Sequence, residues 1–286
     1  MKKFSGPMQI ANKKNKVVRG VHFNGLTTAD RLFVNAVAKG DIFVVYQPIV
    51  DNTLRVQGFE LLVRWQRTDL VIYPGEFLPS LRNDYTWMVL TAFVLRNAIK
   101  MINRYDGKFY YSINIPNQLI YERGIVKMLE SARSSIANQN HKNLVLEINE
   151  KTSFENHPEV ADNIKAIQDL GYRVFLDDCF SELSAFFPVR KLKFDGYKID
   201  ISAVRDSLHD FDCLALIQSL QYYCYLTKRK CIAEGIDSIE KIKTLRQLTN
   251  LEFQGSLISI PLSEEAMVKF IEGISYTHKS LISLEE

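Results

Sequence analysis

At 286 residues, 47% of them hydrophobic and 24% charged, the chain has an ordinary globular composition and enough apolar mass for one large α/β domain or two smaller ones. The net charge of +3 is unevenly placed: residues 1–20 hold Lys2, Lys3, Lys13, Lys14, Lys16 and Arg19 and no acid, so the body is mildly acidic and no DNA partner is expected. Cys179, Cys213, Cys224 and Cys231 lack CxxC spacing, which argues against a zinc site or disulfide framework and fits a reducing cytoplasm; no secretory leader is visible, and the longest apolar run, 87–102, is interrupted by Arg96 and Lys100, so no membrane span is expected.

In chain order, residues 1–25 read as a basic, solvated tail, 26–276 as one domain and 277–286 as a C-terminal tail. Thr28 is placed to cap a helix through 31–39, which Gly40 ends. Two strands, 42–50 and 55–65, follow with a linker short enough for an antiparallel hairpin. Pro74-Gly75 opens a helical turn, and a long helix covers 85–104. Strands at 109–115, 144–148, 174–176, 196–199, 230–233 and 252–257 then alternate with helices at 117–137, 157–170, 211–226, 238–248 and 264–274, the segment 178–187 being irregular. The fold class is therefore α/β, a TIM-like (β/α)8 barrel with an antiparallel first strand.

Eight polar residues interrupt seven of these apolar strands at or near their C-terminal ends: Glu60, Asn114, Glu147, Asp177, Asp178, Lys198, Glu234 and Gln254. One such residue is as readily a helix cap, and the Asp177-Asp178 pair alone is either a cation site or a cap beside a solvated acid. Eight converging on the face where β/α barrels build active sites are hard to explain as caps. The set holds carboxylates and amides but no His or Cys, which favours Mg²⁺, Mn²⁺ or Ca²⁺ over zinc. Two such ions suit in-line phosphoryl displacement, with Lys198 as an anchor for water or a clamp on phosphate. Arg64 lies four residues after Glu60 on the same strand face and is placed to grip a phosphate bidentately. Phosphodiester hydrolysis is the reaction class these residues imply.

With those residues in view, the chain resembles the EAL-domain family of cyclic di-GMP phosphodiesterases over about 26–274. The motifs that carry the resemblance are Tyr46-Gln-Pro-Ile-Val-Asp51, Gly58-Phe-Glu60-Leu-Leu-Val-Arg64-Trp65, Pro74-Gly-Glu-Phe-Leu-Pro79, Ser112-Ile-Asn114, Leu146-Glu147-Ile-Asn-Glu150, Asp177-Asp178, Tyr197-Lys198-Ile-Asp200, Ala233-Glu234-Gly-Ile-Asp237 and Phe253-Gln254-Gly255. The resemblance implies a two-metal Mg²⁺ or Mn²⁺ site: Glu60, Asn114, Glu147 and Asp177 on one ion, and Asp177, Asp178 and Glu234 on a second. It implies Lys198 and Glu234 at the nucleophilic water, with Glu60 in the catalytic set. Arg64, Gln47, Gln254 and Asp178 would face the substrate, and Glu150 and Asp237 would support the loop. The implied reaction opens cyclic di-GMP to linear pGpG, commonly in a homodimer, and so regulates biofilm and motility.

Three departures from the family pattern bear on an alternative, a weak or inactive module that binds cyclic di-GMP or a regulatory protein partner, which the altered loop favours and the complete metal-ligand set opposes. The glycine-rich loop usual after the paired aspartates reads Cys179-Phe180-Ser181-Glu182-Leu183-Ser184-Ala185-Phe186, and Phe180 adopts φ > 0 only at a cost. Asp237 replaces the usual Glu and, with Glu240 three residues on, reads as a capping-box helix start. The signature triplet is Glu-Leu-Leu, a larger residue beside the ligand. Tyr222, Tyr223 and Tyr225 read as packing or dimer surface, and the five histidines are given no catalytic role.

Overall fold

Each apolar strand buries two faces by alternation, and the ring they form explains why so many are apolar throughout. The computed structural model describes residues 25–154, 157–181 and 192–282; residues 1–24, 155–156, 182–191 and 283–286, and with them most of the segment 178–187 and the expected basic tail, lie outside the described residues. Nine strands are seen there: β1 (Ile42–Val50), β2 (Val56–Arg67), β3 (Leu70–Ile72), β4 (Tyr110–Asn114), β5 (Leu144–Asn149), β6 (Arg173–Cys179), β7 (Gly196–Ile199), β8 (Lys230–Ala233) and β9 (Leu251–Phe253). Their order is β1-β9-β8-β7-β6-β5-β4-β2-β3, and a further β1–β2 pairing closes eight of them into a barrel. β1 runs antiparallel to both of its ring neighbours, whereas β2, β4, β5, β6, β7, β8 and β9 follow one another in parallel. The inverted first strand and the TIM-like barrel are as the sequence implies.

The period-2 rule sorts the barrel interior into layers. Ile49, Tyr110, Val145, Phe175 and Ile232 form a separate buried cluster that fills the lower interior. Tyr110 Oη donates to Glu252 Oε2 at 2.7 Å, and Lys230 pairs with the same carboxylate, so the one acid in this layer is satisfied. Gly58 and Gly196 make room for the aromatic rings: a methyl on either would meet Tyr110 at 2.6 Å or Phe175 at 2.7 Å. Two residues further up the same strand faces stand Glu60, Ser112, Glu147, Asp177, Lys198, Glu234 and Gln254. The apolar plug is thus the floor of a polar layer. Outward-facing residues such as Leu61, Val63 and Trp65 join the main core beneath the helices, where Phe33, Trp65 and Phe77 pack ring against ring.

Gly255 follows Gln254 where the backbone of the β8 loop passes closest. Ile236 N–H donates to the Gln254 carbonyl at 3.0 Å, and a methyl on Gly255 would lie 2.2 Å from Ile236 backbone atoms. Backbone cannot step aside as a side chain can, so Gly255→Ala should cost roughly 3 kcal/mol. A thermal melt is the check; an unchanged melting temperature would contradict the close approach.

Several boundaries differ from the sequence reading, each for a local reason. Thr27, not Thr28, caps the first helix (Thr28–Lys39), through a reciprocal capping box with Asp30. The helix expected over 117–137 is broken into Asn117–Ile120 and Arg123–Ala132, because Glu122 is extended at φ −110° and ψ 141°. Ser238 rather than Asp237 caps the helix Ile239–Leu245, its hydroxyl accepting from Lys241 N–H at 3.3 Å. β3 was not legible, and the closing helix Glu264–Ile282 runs past 274.

Candidate active site

Lys198 is the hub of the polar layer. Its ammonium, on a residue only 1% exposed, lies 2.6 Å from Glu234, 3.0 Å from Glu147, 3.1 Å from Asp177 and 3.2 Å from Glu60. These groups come from β7, the end of β8, β5, β6 and β2, and parallel register brings them to one level. Gln254 Nε2 donates to Glu60 Oε2, and Asn114 Nδ2 to Glu60 Oε1, both at 2.8 Å. All eight polar residues singled out in the sequence therefore stand on one rim, with Asp178 beside Asp177 and Glu234.

One ammonium cannot neutralise four carboxylates, three of them buried and Glu234 half-buried, and the electrostatics show the excess. Burial first, then neighbouring negative charge, pushes Glu147, Asp177 and Glu234 above the usual carboxylate range. Glu60 goes the other way: burial works against it, but Lys198 and the hydrogen bonds from Gln254 and Asn114 outweigh that cost and hold it ionised. Lys198 is raised well above its ordinary value, since its four acidic neighbours outweigh its burial.

The donor set fits hard divalent cations. It is all oxygen, and carboxylate oxygens of Asp177, Asp178 and Glu234 lie within 4.8 Å of one another. Three buried carboxylate and amide oxygens of the site, Asp177 Oδ1, Glu147 Oε1 and Gln254 Oε1, have no well-directed hydrogen bond among the described residues, although Asp177 Oδ1 lies 3.1 Å from the Lys198 ammonium. A cation would satisfy the first and remove the carboxylate repulsion.

The paired aspartates sit on a bent support. Asp178 and Phe180 take left-handed φ values of 57° and 70°, the conformation that glycine would adopt at little cost. Glu150 holds the bend by accepting from Phe180 N–H at 3.1 Å and Ser181 N–H at 3.0 Å. The exposed carboxylate of Asp237 lies 3.0 Å from the ammonium of Lys241, a buried residue four positions on. Asn149, which the sequence reading passed over, donates to Asp178. Its signal was present, because it lies two residues beyond Glu147 on the same face of β5.

Gln47 faces Glu60 directly across the β1–β2 ladder, whereas Arg64 stands four residues higher. The Arg64 guanidinium is stacked 4.7 Å from the centre of the Tyr73 ring and donates to the Val63 carbonyl at 2.8 Å.

A pH dependence follows from Asp178, whose carboxyl is pushed up to about 6 by burial and then by Asp177 and Asp200. Without metal, the folded chain keeps a proton that the unfolded chain releases near its ordinary 3.8, so this group's contribution to stability is lost as pH rises from about 4 to 6. Metal needs the carboxylate, so affinity moves oppositely. Calorimetric titration with Mn²⁺ should show binding at least roughly tenfold weaker per pH unit below 6 and still strengthening above it, until Glu234, pushed up to about 8 by burial, has also lost its proton.

The EAL domain model matches residues 31–261. Among similar proteins, the probable cyclic di-GMP phosphodiesterase PdeG of Escherichia coli K12 is 25% identical over 258 residues, covering 87% of this chain and 50% of PdeG. The probable cyclic di-GMP phosphodiesterase PdeB of the same organism is 27% identical over 243 residues, 83% of this chain and 46% of PdeB. The chain therefore spans about half the length of these curated relatives. An EAL domain protein of Listeria monocytogenes superposes with a TM-score of 0.74 at 26% identity, covering 88% of this chain and 99% of that one. The EAL enzyme Bd1971, in its cAMP- and cyclic-di-GMP-bound form, gives a TM-score of 0.76 at 24% identity over 85% of this chain and 68% of its own, which speaks to the shared fold. From the matched span and the barrel that carries it, the chain belongs to the EAL domain family.

Proposed function

We propose that this chain is a metal-dependent phosphodiesterase that hydrolyses cyclic di-GMP to linear pGpG. The observation that carries the reading is the buried ring of Glu60, Glu147, Asp177 and Glu234 about Lys198, with Asp178 and Asn114 at its edge. In this reading Glu60, Asn114, Glu147 and Asp177 hold one Mg²⁺ or Mn²⁺, and Asp177, Asp178 and Glu234 hold a second. Such a pair supplies an activated water and charge stabilisation at a transferring phosphoryl group. Glu234 would sit beside that water as its proton acceptor once it has given up the proton that burial favours, and Lys198 would orient the water. Arg64 grips a phosphate oxygen, while Gln47 and Gln254 fix the ring's geometry from either side of Glu60. The same reading assigns the chain to homodimers and to control of biofilm and motility through the second messenger.

The test is turnover of cyclic di-GMP by the purified chain with Mg²⁺ and with Mn²⁺, followed chromatographically. Linear pGpG is the expected product. The left-handed backbone at Asp178 and Phe180 favours a second reading, a module that binds cyclic di-GMP or a regulatory protein without hydrolysis. Retained nucleotide binding with no pGpG would decide for that one.

A further inference from the structure

Glu234 is the first residue past the end of β8, so its place depends on bonds other than a continuing strand ladder. Its backbone N–H donates to the Ile199 carbonyl at 3.1 Å, and two residues on, Ile236 N–H donates to the Gln254 carbonyl at 3.0 Å. Those two bonds lead to the ends of β7 and β9 and bracket Gly235. Gly235 takes a left-handed φ of 66°, with Ile201 packed so closely that a methyl there would lie 2.1 Å from its Cγ1. A left-handed glycine is the freest joint a chain can have, and the peptide beside it stays put only if something outside the joint holds it.

The holder is a lysine. Lys241 Nζ donates to the Gly235 carbonyl at 2.9 Å from the helix Ile239–Leu245, and Ser238, which caps that helix, accepts from the Lys241 N–H and so fixes where the lysine starts. Lysine ordinarily lays its stem along apolar surface and leaves the ammonium in water. Lys241 is instead 5% exposed, although Asp237, 3.0 Å from its ammonium, is itself an exposed partner with which it could pair at the surface. Taking an ammonium out of water is costly unless its hydrogens are satisfied, and here a carbonyl and a carboxylate satisfy them. The carbonyl concerned directly follows Glu234. On its other side the Glu234 carboxylate meets Lys198 at 2.6 Å, so two buried ammonium groups grip this short stretch from opposite ends.

We infer that Lys241 is a positioning residue: by clamping the Gly235 carbonyl it fixes the peptide after Glu234 and so holds the Glu234 carboxylate at the level where it converges with Asp177 and Asp178. The inference rests on the reading of Glu234 as a cation ligand and adds the residue that sets its place. Lys241 acts through the backbone and touches neither cation nor substrate. Without the clamp the peptide turns about the glycine joint, and the carboxylate loses its level.

Lys241→Met keeps the stem and removes the ammonium. Calorimetric titration should give a Kd for Mn²⁺ about tenfold weaker than the parent's, the scale on which supports behind a metal ligand act. With metal saturating, kcat for cyclic di-GMP should fall about tenfold while KM moves less than about twofold, because the substrate's own contacts are untouched. Lys241→Gln, which keeps an N–H donor on a shorter arm, should fall between the two. Ser238→Ala removes the cap of the same helix, so it should melt lower yet bind Mn²⁺ like the parent, which separates placement from stability. In a Glu234→Gln background, Lys241→Met should weaken Mn²⁺ binding no further, since the clamp then has no anionic ligand to place. Parental Mn²⁺ affinity in Lys241→Met, or an equal loss with and without Glu234→Gln, would overturn the clamp and leave the metal site standing. A parent that binds Mn²⁺ but does not hydrolyse would remove the phosphodiesterase and leave the clamp to be judged by Kd, and a parent that binds no Mn²⁺ would overturn both.

Discussion

Lys198→Met should abolish detectable turnover and, in metal-free buffer, lower the melting temperature by about 6–12 °C. The kinetic half follows from its place at the centre of the ring, facing four acids, where under the proposed function it would orient the water; losing a positioned group of this kind costs about 10²- to 10⁴-fold. The stability half is a competition. Removing one partner of a buried pair costs about 3–5 kcal/mol when the remaining charge stays put. Glu147, Asp177 and Glu234 already have raised proton affinities and take up protons when the ammonium is gone, which trims the loss toward the lower figure. Divalent metal should then rescue the variant's stability by more than it adds to the parent, since metal replaces the missing cation. Differential scanning calorimetry with and without Mn²⁺ measures both arms. A metal-free variant as stable as the parent would show that the ammonium does not hold the ring together.

Glu147→Gln should move the two quantities in opposite directions. In the metal-free chain this carboxyl is fully buried, pressed by Glu60 and Asp177 and pushed well above its usual range. A neutral amide of the same shape relieves that crowding and should raise the metal-free melting temperature by about 2–4 °C, corresponding to about 1 kcal/mol. Under the proposed function, metal would lose an anionic ligand at the same time. Mn²⁺ at a hundred times its Kd stabilises the parent by about 2.7 kcal/mol, and most of that gain should vanish in the variant. Turnover should fall with it. A variant that melts lower without metal and responds to Mn²⁺ like the parent would place Glu147 in the scaffold and out of the metal set.

Much of this site was legible because a barrel strand writes its chemistry in a simple code. A carboxylate inside Leu144-Val-Leu-Glu147-Ile, or a lysine inside Tyr197-Lys198-Ile, has nowhere to go but the interior of a ring, and the shared C-terminal position sets the level. What period and position do not give is partnership. Lys198 was readable as a clamp on phosphate or an anchor for water, yet its contact with four acids depends on the stagger between strands. Asp237 was assigned the cap that Ser238 provides, because one residue along a chain entering a helix is below the resolution of a capping pattern. β3 escaped altogether: its three residues are largely exposed, and only pairing with β2 makes them a strand. With β3 went the relation between Arg64 and Tyr73, nine positions apart in sequence and stacked in space.

The inverted first strand has a consequence for how the protein is made. β1 is sealed to the far end of the domain by Val50 against Phe253 and by the reciprocal hydrogen bonds of Tyr46 and Leu262, both at 2.8 Å. Glu60 receives its bond from Gln254, 194 residues later. During translation the ribosome needs about 10–40 s to add that much chain. Throughout that interval Glu60, Glu147 and Asp177 are synthesised without the strand that completes their ring, and the growing polypeptide has neither a closed wall nor a finished cation site. Folding of this domain is therefore a late event tied to its last strand, and a nascent chain halted before Leu251 should be open to proteases and indifferent to Mn²⁺.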